Sequence, residues 1–115
     1  MSPIIWHNPK CSTSRKVLEM IRATGVEPTV IDYQQTPPSA AEIKAALKSM
    51  GMKARDLLRR KNTPYDELGL DDPKLSETQL VAAMAEHPLL IERPVVHTKK
   101  GTRLCRPVER LQEIL

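Results

Sequence analysis

Phenylalanine is absent from this sequence, and the other aromatics are scarce: one Trp and two Tyr among 115 residues. A core must therefore be filled by Leu, Ile, Val, Met and Ala, and there is no row of rings on which nucleobases could stack. Cysteine is nearly as sparse. Cys11 and Cys105 are the whole supply, too few for the disulfide scaffold of a small secreted protein. No apolar run approaches the roughly 20 residues of a membrane-spanning helix, and the N-terminus lacks the apolar centre of a signal peptide. These absences lead us to expect a cytoplasmic, reducing compartment, no membrane and no cross-linked thiols. No cluster of His, Cys, Asp or Glu has metal-ligand spacing either, so no metal is expected.

What is present bounds the answer from the other side. The chain is long enough for one compact domain, with 40% hydrophobic residues and a net charge of +4. A basic balance suits an anionic ligand. The basic residues are dispersed, however, with short runs only at Arg59-Arg60-Lys61 and Lys99-Lys100. Without an aromatic platform beside them they read as solvated surface, and nucleic acid is not expected as a partner.

One stretch organises the rest: His7-Asn8-Pro9-Lys10-Cys11-Ser12-Thr13-Ser14-Arg15. A short apolar run, Pro3 to Trp6, precedes it. An amphipathic pattern follows, with Val17, Leu18, Met20 and Ile21 set among charged residues. This spacing predicts strand, loop and helix, with Cys11 at the helix start. The first turn of a helix presents unpaired N–H groups and partial positive charge, which favour a thiolate and can hold an oxyanion. A cysteine so placed falls from about pKa 8.5 into a range of roughly 3.5–7.5. Ser12, Thr13 and Ser14 add hydroxyls, and Arg15 and His7 can add charge. A free cysteine is also a common small core residue, and apolar burial raises its pKa instead. The local sequence leaves both readings open.

Along the chain, the first helix is predicted from about Thr13 to Ala23, stopping at Thr24-Gly25. Pro28 to Tyr33, rich in β-branched residues, reads as a second strand. The two strands and their helix form a parallel, right-handed βαβ unit. Ser39 with Glu42 reads as a capping box before a helix that buries Ile43, Ala46, Leu47 and Met50 and ends at Gly51. A short helix is expected at Ala54 to Arg60, a helical turn at Tyr65 to Leu68, and a further helix at Ser76 to Glu86. Leu89 to Arg93 then leads into a strand, Pro94 to His97. A turn at Thr98 to Gly101 and a strand at Thr102 to Cys105 complete a hairpin. Pro107 sits just inside the start of a final amphipathic helix carrying Val108, Leu111, Ile114 and Leu115. The order βαβ, helices, ββα predicts an α/β fold: a four-stranded mixed sheet with helices on both faces and a helical block inserted at about 39–88.

A βαβ unit and a ββα unit, with cysteine after the first strand and proline before the third, is the thioredoxin-like arrangement. Within it the sequence resembles the arsenate reductase family that works with glutathione and glutaredoxin. The resemblance is carried by His7-Asn8-Pro9, Cys11, Thr13-Ser14-Arg15, Glu27-Pro28-Thr29, Leu57-Leu58-Arg59, Pro64-Tyr65, Leu68-Gly69-Leu70, His87-Pro88, Arg93-Pro94 and Gly101 to Pro107. It implies an oxidoreductase of arsenic detoxification in which Cys11 attacks arsenate to form a covalent thioarsenate. It places the substrate-binding arginines at Arg59, Arg93 and Arg106, whose guanidinium forks suit a tetrahedral oxyanion. His7, as imidazolium, would hold the thiolate by charge. Ser14 would hydrogen-bond the sulfur or cap the helix, and Asn8, Thr13 and Arg15 would shape the loop. Pro94 corresponds to the cis-proline facing the active cysteine in such folds.

Cys11-Ser12-Thr13-Ser14 holds no second cysteine, so a local dithiol cycle is excluded. The resemblance supplies glutathione as co-substrate and glutaredoxin as protein partner, with no bound cofactor. Cys105 is expected to pack in the core. Two further readings remain: a monothiol oxidoreductase of glutathione mixed disulfides, and a non-enzymatic, redox-responsive regulator that binds RNA polymerase. The latter group usually carries Cys-x-x-Cys, which is missing here.

Overall fold

The computed structural model describes residues 2–115. Its elements divide into two compact units: residues up to Thr36 together with Arg93–Leu115, and Pro37–Glu92.

The first unit is built on β1 (Ile4–His7), α1 (Ser12–Ala23), β2 (Thr29–Asp32), β3 (Val95–Thr98) and β4 (Gly101–Leu104). β1 and β2 run parallel, in register from Ile4 opposite Thr29 to His7 opposite Asp32. β3 lies antiparallel to both β1 and β4, giving the sheet order β2-β1-β3-β4. This mixed four-stranded sheet, with its crossover helix after β1 and its hairpin at the far edge, is the thioredoxin-like fold. Among the described residues no helix is long and apolar enough to cross a membrane.

The period-3.6 pattern of α1 buries Val17, Leu18 and Ile21 against Ile5 and Val96 of the central strands, with Cys105, Leu111 and Ile114 completing the cluster. Each buried aliphatic contributes about 1.5–3 kcal/mol relative to exposure. The cluster therefore anchors the base of α1, and with it the loop that α1 shares with β1.

The last segment differs from expectation. Val108–Glu113 is a 3-10 helix and not an α-helix, and Pro107 precedes it as its cap, after a cis bond from Arg106. The physical reason is visible in the spacing. Val108, Leu111 and Ile114 are three residues apart, and a helix of three residues per turn puts all of them on one face. Leu111 and Ile114 are fully buried that way, and the bonds Arg110 N to Pro107 O and Ile114 N to Leu111 O are of the short-turn kind.

The second unit carries α2 (Ala40–Met50), α3 (Ala54–Leu57) and α4 (Glu77–Glu86), with α2 and α3 packed on α4. Both expected caps are present. Ser39 Oγ accepts from the Glu42 N–H at 3.1 Å while Glu42 returns a bond to the Ser39 N–H at 2.9 Å. Ser76 does the same with Gln79. Gly51 closes α2 at φ +66°, a left-handed geometry that glycine adopts without cost. The helix expected to reach Arg60 stops at Leu57, and Leu89 to Arg93 is not simply a lead into a strand: Pro88–Leu90 forms a 3-10 turn. The cause is non-local. Leu58 pairs with Ile91, and the bonds Arg59 N to Leu90 O (2.7 Å) and Glu92 N to Leu57 O (2.8 Å) satisfy backbone groups that a longer helix would have used.

Candidate active site

The chain leaves β1 at His7 and turns at once. The Cys11 N–H donates to Asn8 O at 3.0 Å and the Lys10 N–H to Asn8 Oδ1 at 2.9 Å, so the asparagine side chain and backbone both fold the loop. Arg15 reaches back from α1 to donate to Pro9 O at 3.0 Å. Cys11 then caps α1 in extended conformation, and its carbonyl accepts the Arg15 N–H. The loop roles expected of Asn8 and Arg15 thus correspond to contacts of these residues.

Ser14 is fully buried beneath this turn. Its Oγ accepts from the Asn8 N–H at 3.1 Å and lies 2.7 Å from His7 Nδ1. A hydroxyl that accepts from Asn8 keeps a second lone pair as well as its own hydrogen, so the direction of the His7–Ser14 bond follows the tautomer and charge of the imidazole. The titration of His7 is shifted downward. Burial lowers its pKa; the Asp32 carboxylate opposes this, and Arg22 and Arg15 reinforce it. The histidine expected as an imidazolium beside the thiolate is therefore shifted toward the neutral form, and it lies against Ser14. Asp32 was not singled out from the sequence. Its proximity follows from the parallel register that sets it opposite His7, which no local pattern reveals.

The sulfur of Cys11 is partly exposed. Burial by itself would raise its pKa, but the backbone N–H of Ser14, the hydrogen bond and charge of Arg93, and the backbone N–H of Thr13 outweigh it and bring it down to about 7. The side chain of Cys11 makes no cap hydrogen bond to the helix; the amides of Ser14 and Thr13 favour the thiolate as N–H groups facing it. Ser14 therefore favours the thiolate through its backbone, while its hydroxyl is committed to His7. Arg106 Nη1 lies 3.8 Å from Sγ and donates to Arg93 O at 3.1 Å. The sulfur contact is long, and Arg93 has the larger effect on the thiol. Pro94 follows Arg93 across a cis bond, as expected, and its carbonyl accepts the Cys105 N–H at 2.9 Å.

Arg93 and Arg106, 82 and 95 residues from Cys11, are thus brought to one sulfur. Arg59 belongs to the second unit. Its Nη1 pairs with Glu92 at 2.8 Å and its Nε donates to Lys61 O at 3.2 Å. Cys105 is buried in the apolar cluster, and burial is the main cause that pushes its thiol up to about 12. Among the described residues no three His, Cys, Asp or Glu side chains gather as a metal site. The arrangement at Cys11 can present a nucleophilic sulfur at neutral pH and hold an anion against two guanidinium groups.

Comparison with known proteins places this geometry in context. The family model described as the ArsC family matches residues 6–114. An arsenate reductase of Rhizobium meliloti is 51% identical over 115 residues, covering 100% of this chain and 82% of that protein. An arsenate reductase of Escherichia coli K12 is 51% identical over 111 residues, covering 96% and 79%. The solved structure of an arsenate reductase from Vibrio cholerae superposes with a TM-score of 0.95 at 46% identity, covering 100% of this chain and 98% of that one.

Proposed function

The chain belongs to the ArsC family, and from that premise we propose that it reduces arsenate to arsenite through Cys11, with glutathione and glutaredoxin as the source of electrons. The observation that carries the proposal is the sulfur itself: a thiol brought down to about 7 at the start of α1, with Arg93 and Arg106 beside it. Relatives named as arsenate reductases, at half identity over nearly the whole chain, supply the substrate.

In the first step the Cys11 thiolate attacks arsenic(V). A sulfur–arsenic bond forms, one arsenic–oxygen bond breaks, and the oxygen leaves as water after protonation. Arg93 and Arg106 bind the remaining oxygens and offset the charge that would repel an incoming thiolate. Arg59 is proposed as a third arginine for the oxyanion. Ser14, with His7 behind it, keeps the first turn of α1 in place, so His7 and Ser14 act as positioning residues. Thr13 contributes its N–H to the thiolate.

The second step needs a thiol from outside. A glutathione thiolate attacks the Cys11 sulfur. The sulfur–sulfur bond forms, and the sulfur–arsenic bond breaks with its electron pair staying on arsenic, which leaves as arsenite. Glutaredoxin then attacks the glutathione sulfur of the mixed disulfide and releases Cys11 as thiolate. Two thiols are oxidised to one disulfide and arsenic(V) is reduced to arsenic(III), so the electrons balance. This chemistry suits a reducing cytoplasm.

The test is a coupled assay with glutathione, glutaredoxin, glutathione reductase and NADPH. Arsenate-dependent NADPH oxidation is expected with the wild type and none with Cys11→Ser. No signal from the wild type, or an undiminished one from the variant, rejects the mechanism.

A further inference from the structure

The proposed cycle leaves one position open: where the resolving thiol sits. This inference rests on the reading that an outside thiol attacks Cys11, because Cys105 is buried with its thiol held up near 12. A groove of about 410 Å³ opens beside the sulfur, between α1 and the segment that follows β4. That volume falls within the range of roughly 300–1,000 Å³ of small-molecule clefts. Arg106 lines it and also lies 3.8 Å from Cys11 Sγ, and Ser12, the residue after Cys11, lines it too, so the groove and the sulfur share one guanidinium.

Its lining has a definite chemistry. Ser12, Thr13 and Lys16 come from one side and Pro107, Val108 and Glu109 from the other. Lys16 and Glu109 are exposed on these opposite walls, offering one cation and one anion. Pro107 and Val108 add an apolar stretch beside Glu109 on its wall. A small oxyanion alone has no use for a carboxylate or an apolar stretch on the wall. A peptide carrying both a carboxylate and an ammonium group matches all of these features.

We propose that this groove seats the resolving thiol as a small zwitterionic thiol peptide of the glutathione class, its carboxylate facing Lys16, its ammonium facing Glu109 and its sulfur directed at Cys11. Lys16 and Glu109 are then specificity residues for the second substrate. Neither is needed to bind the oxyanion.

The seat can be tested without arsenate. The Cys11 thiolate attacks glutathione disulfide, forming a protein–glutathione disulfide and releasing one glutathione thiolate. The same thiolate attacks bis(2-hydroxyethyl) disulfide, which carries no charge. The readout is the ratio of the two second-order rates, followed by mass spectrometry of the modified protein. Any change in Cys11 nucleophilicity cancels in this ratio. We expect Lys16→Gln to lower the ratio about fivefold and Glu109→Gln to lower it about threefold, the size of partly solvated charge contacts. Lys16→Arg should restore most of the loss. A ratio unchanged in both Gln variants, or no preference for glutathione disulfide in the wild type at low salt, overturns the proposal. The absence of arsenate reduction in the coupled assay would leave this ratio untouched, so the two readings fail separately.

Discussion

The two cysteines stand at equivalent-looking places in the first unit, each just beyond a strand, and yet their sulfurs are held in opposite states. Cys11 follows β1 at the start of a helix, and its thiol comes down to about 7. Cys105 follows β4 and turns into the apolar cluster, and its thiol rises to about 12. Burial pushes both upward. At Cys11 two backbone amides and Arg93 outweigh it; at Cys105 the charges of Arg110 and Arg103 lower the value, Glu113 opposes them, and burial wins. At neutral pH a substantial part of Cys11 is thiolate, whereas Cys105 stays a thiol. Reactivity here is a matter of which donors face the sulfur, and position after a strand says nothing about it.

The largest consequence is selective alkylation. Iodoacetamide on the native protein should label Cys11 and leave Cys105 unmodified, as peptide mass spectrometry can read. Labelling should speed up as pH rises, because the thiolate is the reacting form, with half of the maximum rate reached near pH 7. Equal labelling of both sulfurs, or a midpoint near 9, would break the contrast.

Activity should divide the same way. Cys11→Ser should reduce arsenate-dependent NADPH oxidation to background, since the hydroxyl is not ionised at neutral pH. Cys105→Ala should retain most of it. A Cys105→Ala protein that is folded but inactive would give that sulfur a redox role.

Removing a single guanidinium comes next in size. Arg93→Ala should raise the Cys11 pKa and slow alkylation at pH 6, because one cause of the lowered value is gone. It should also increase the arsenate concentration required by about tenfold or more, the loss of a charge-assisted contact. Arg106→Ala should weaken arsenate binding comparably with a smaller change in thiol pKa, given its long contact to the sulfur. Arg60→Ala is the control: this exposed side chain pairs with Asp66 and lies over Tyr65, and it should change little.

The smallest effect is on stability. Cys105→Ser places a hydroxyl among Ile5, Val17, Val96 and Leu111, and should cost about 1–3 kcal/mol. Thermal unfolding would show this as a fall of several degrees. The same substitution at Cys11, which is partly exposed, should cost less.

Much of the first unit was legible. The Ile4 to Trp6 run, the pattern from Val17 to Ile21 and Gly25 placed β1 and α1 within a residue of where they lie. Ser39 with Glu42 announced its capping box because both partners lie within one turn. Where expectation and structure part, the deciding contacts are distant. Leu58 leaves its helix to pair with Ile91. The His7 pKa is lowered, against the expected imidazolium, because its strand end is buried, an effect that Asp32 opposes and Arg22 and Arg15 reinforce. The final segment is instructive in another way: the three-residue spacing of Val108, Leu111 and Ile114 was in view, but it reads as an α-helical face until the depth of burial of each residue is known.

The sequence by itself determined that a cysteine would stand at the start of a helix following a strand, because hydrophobic period, caps and glycine stops act over a few residues and need no partner elsewhere. Only the tertiary structure decided which donors, charges and apolar groups surround each sulfur. Amides, guanidinium groups and apolar side chains act on a thiol through distances of a few ångströms, and those distances join residues up to 95 positions apart in the chain.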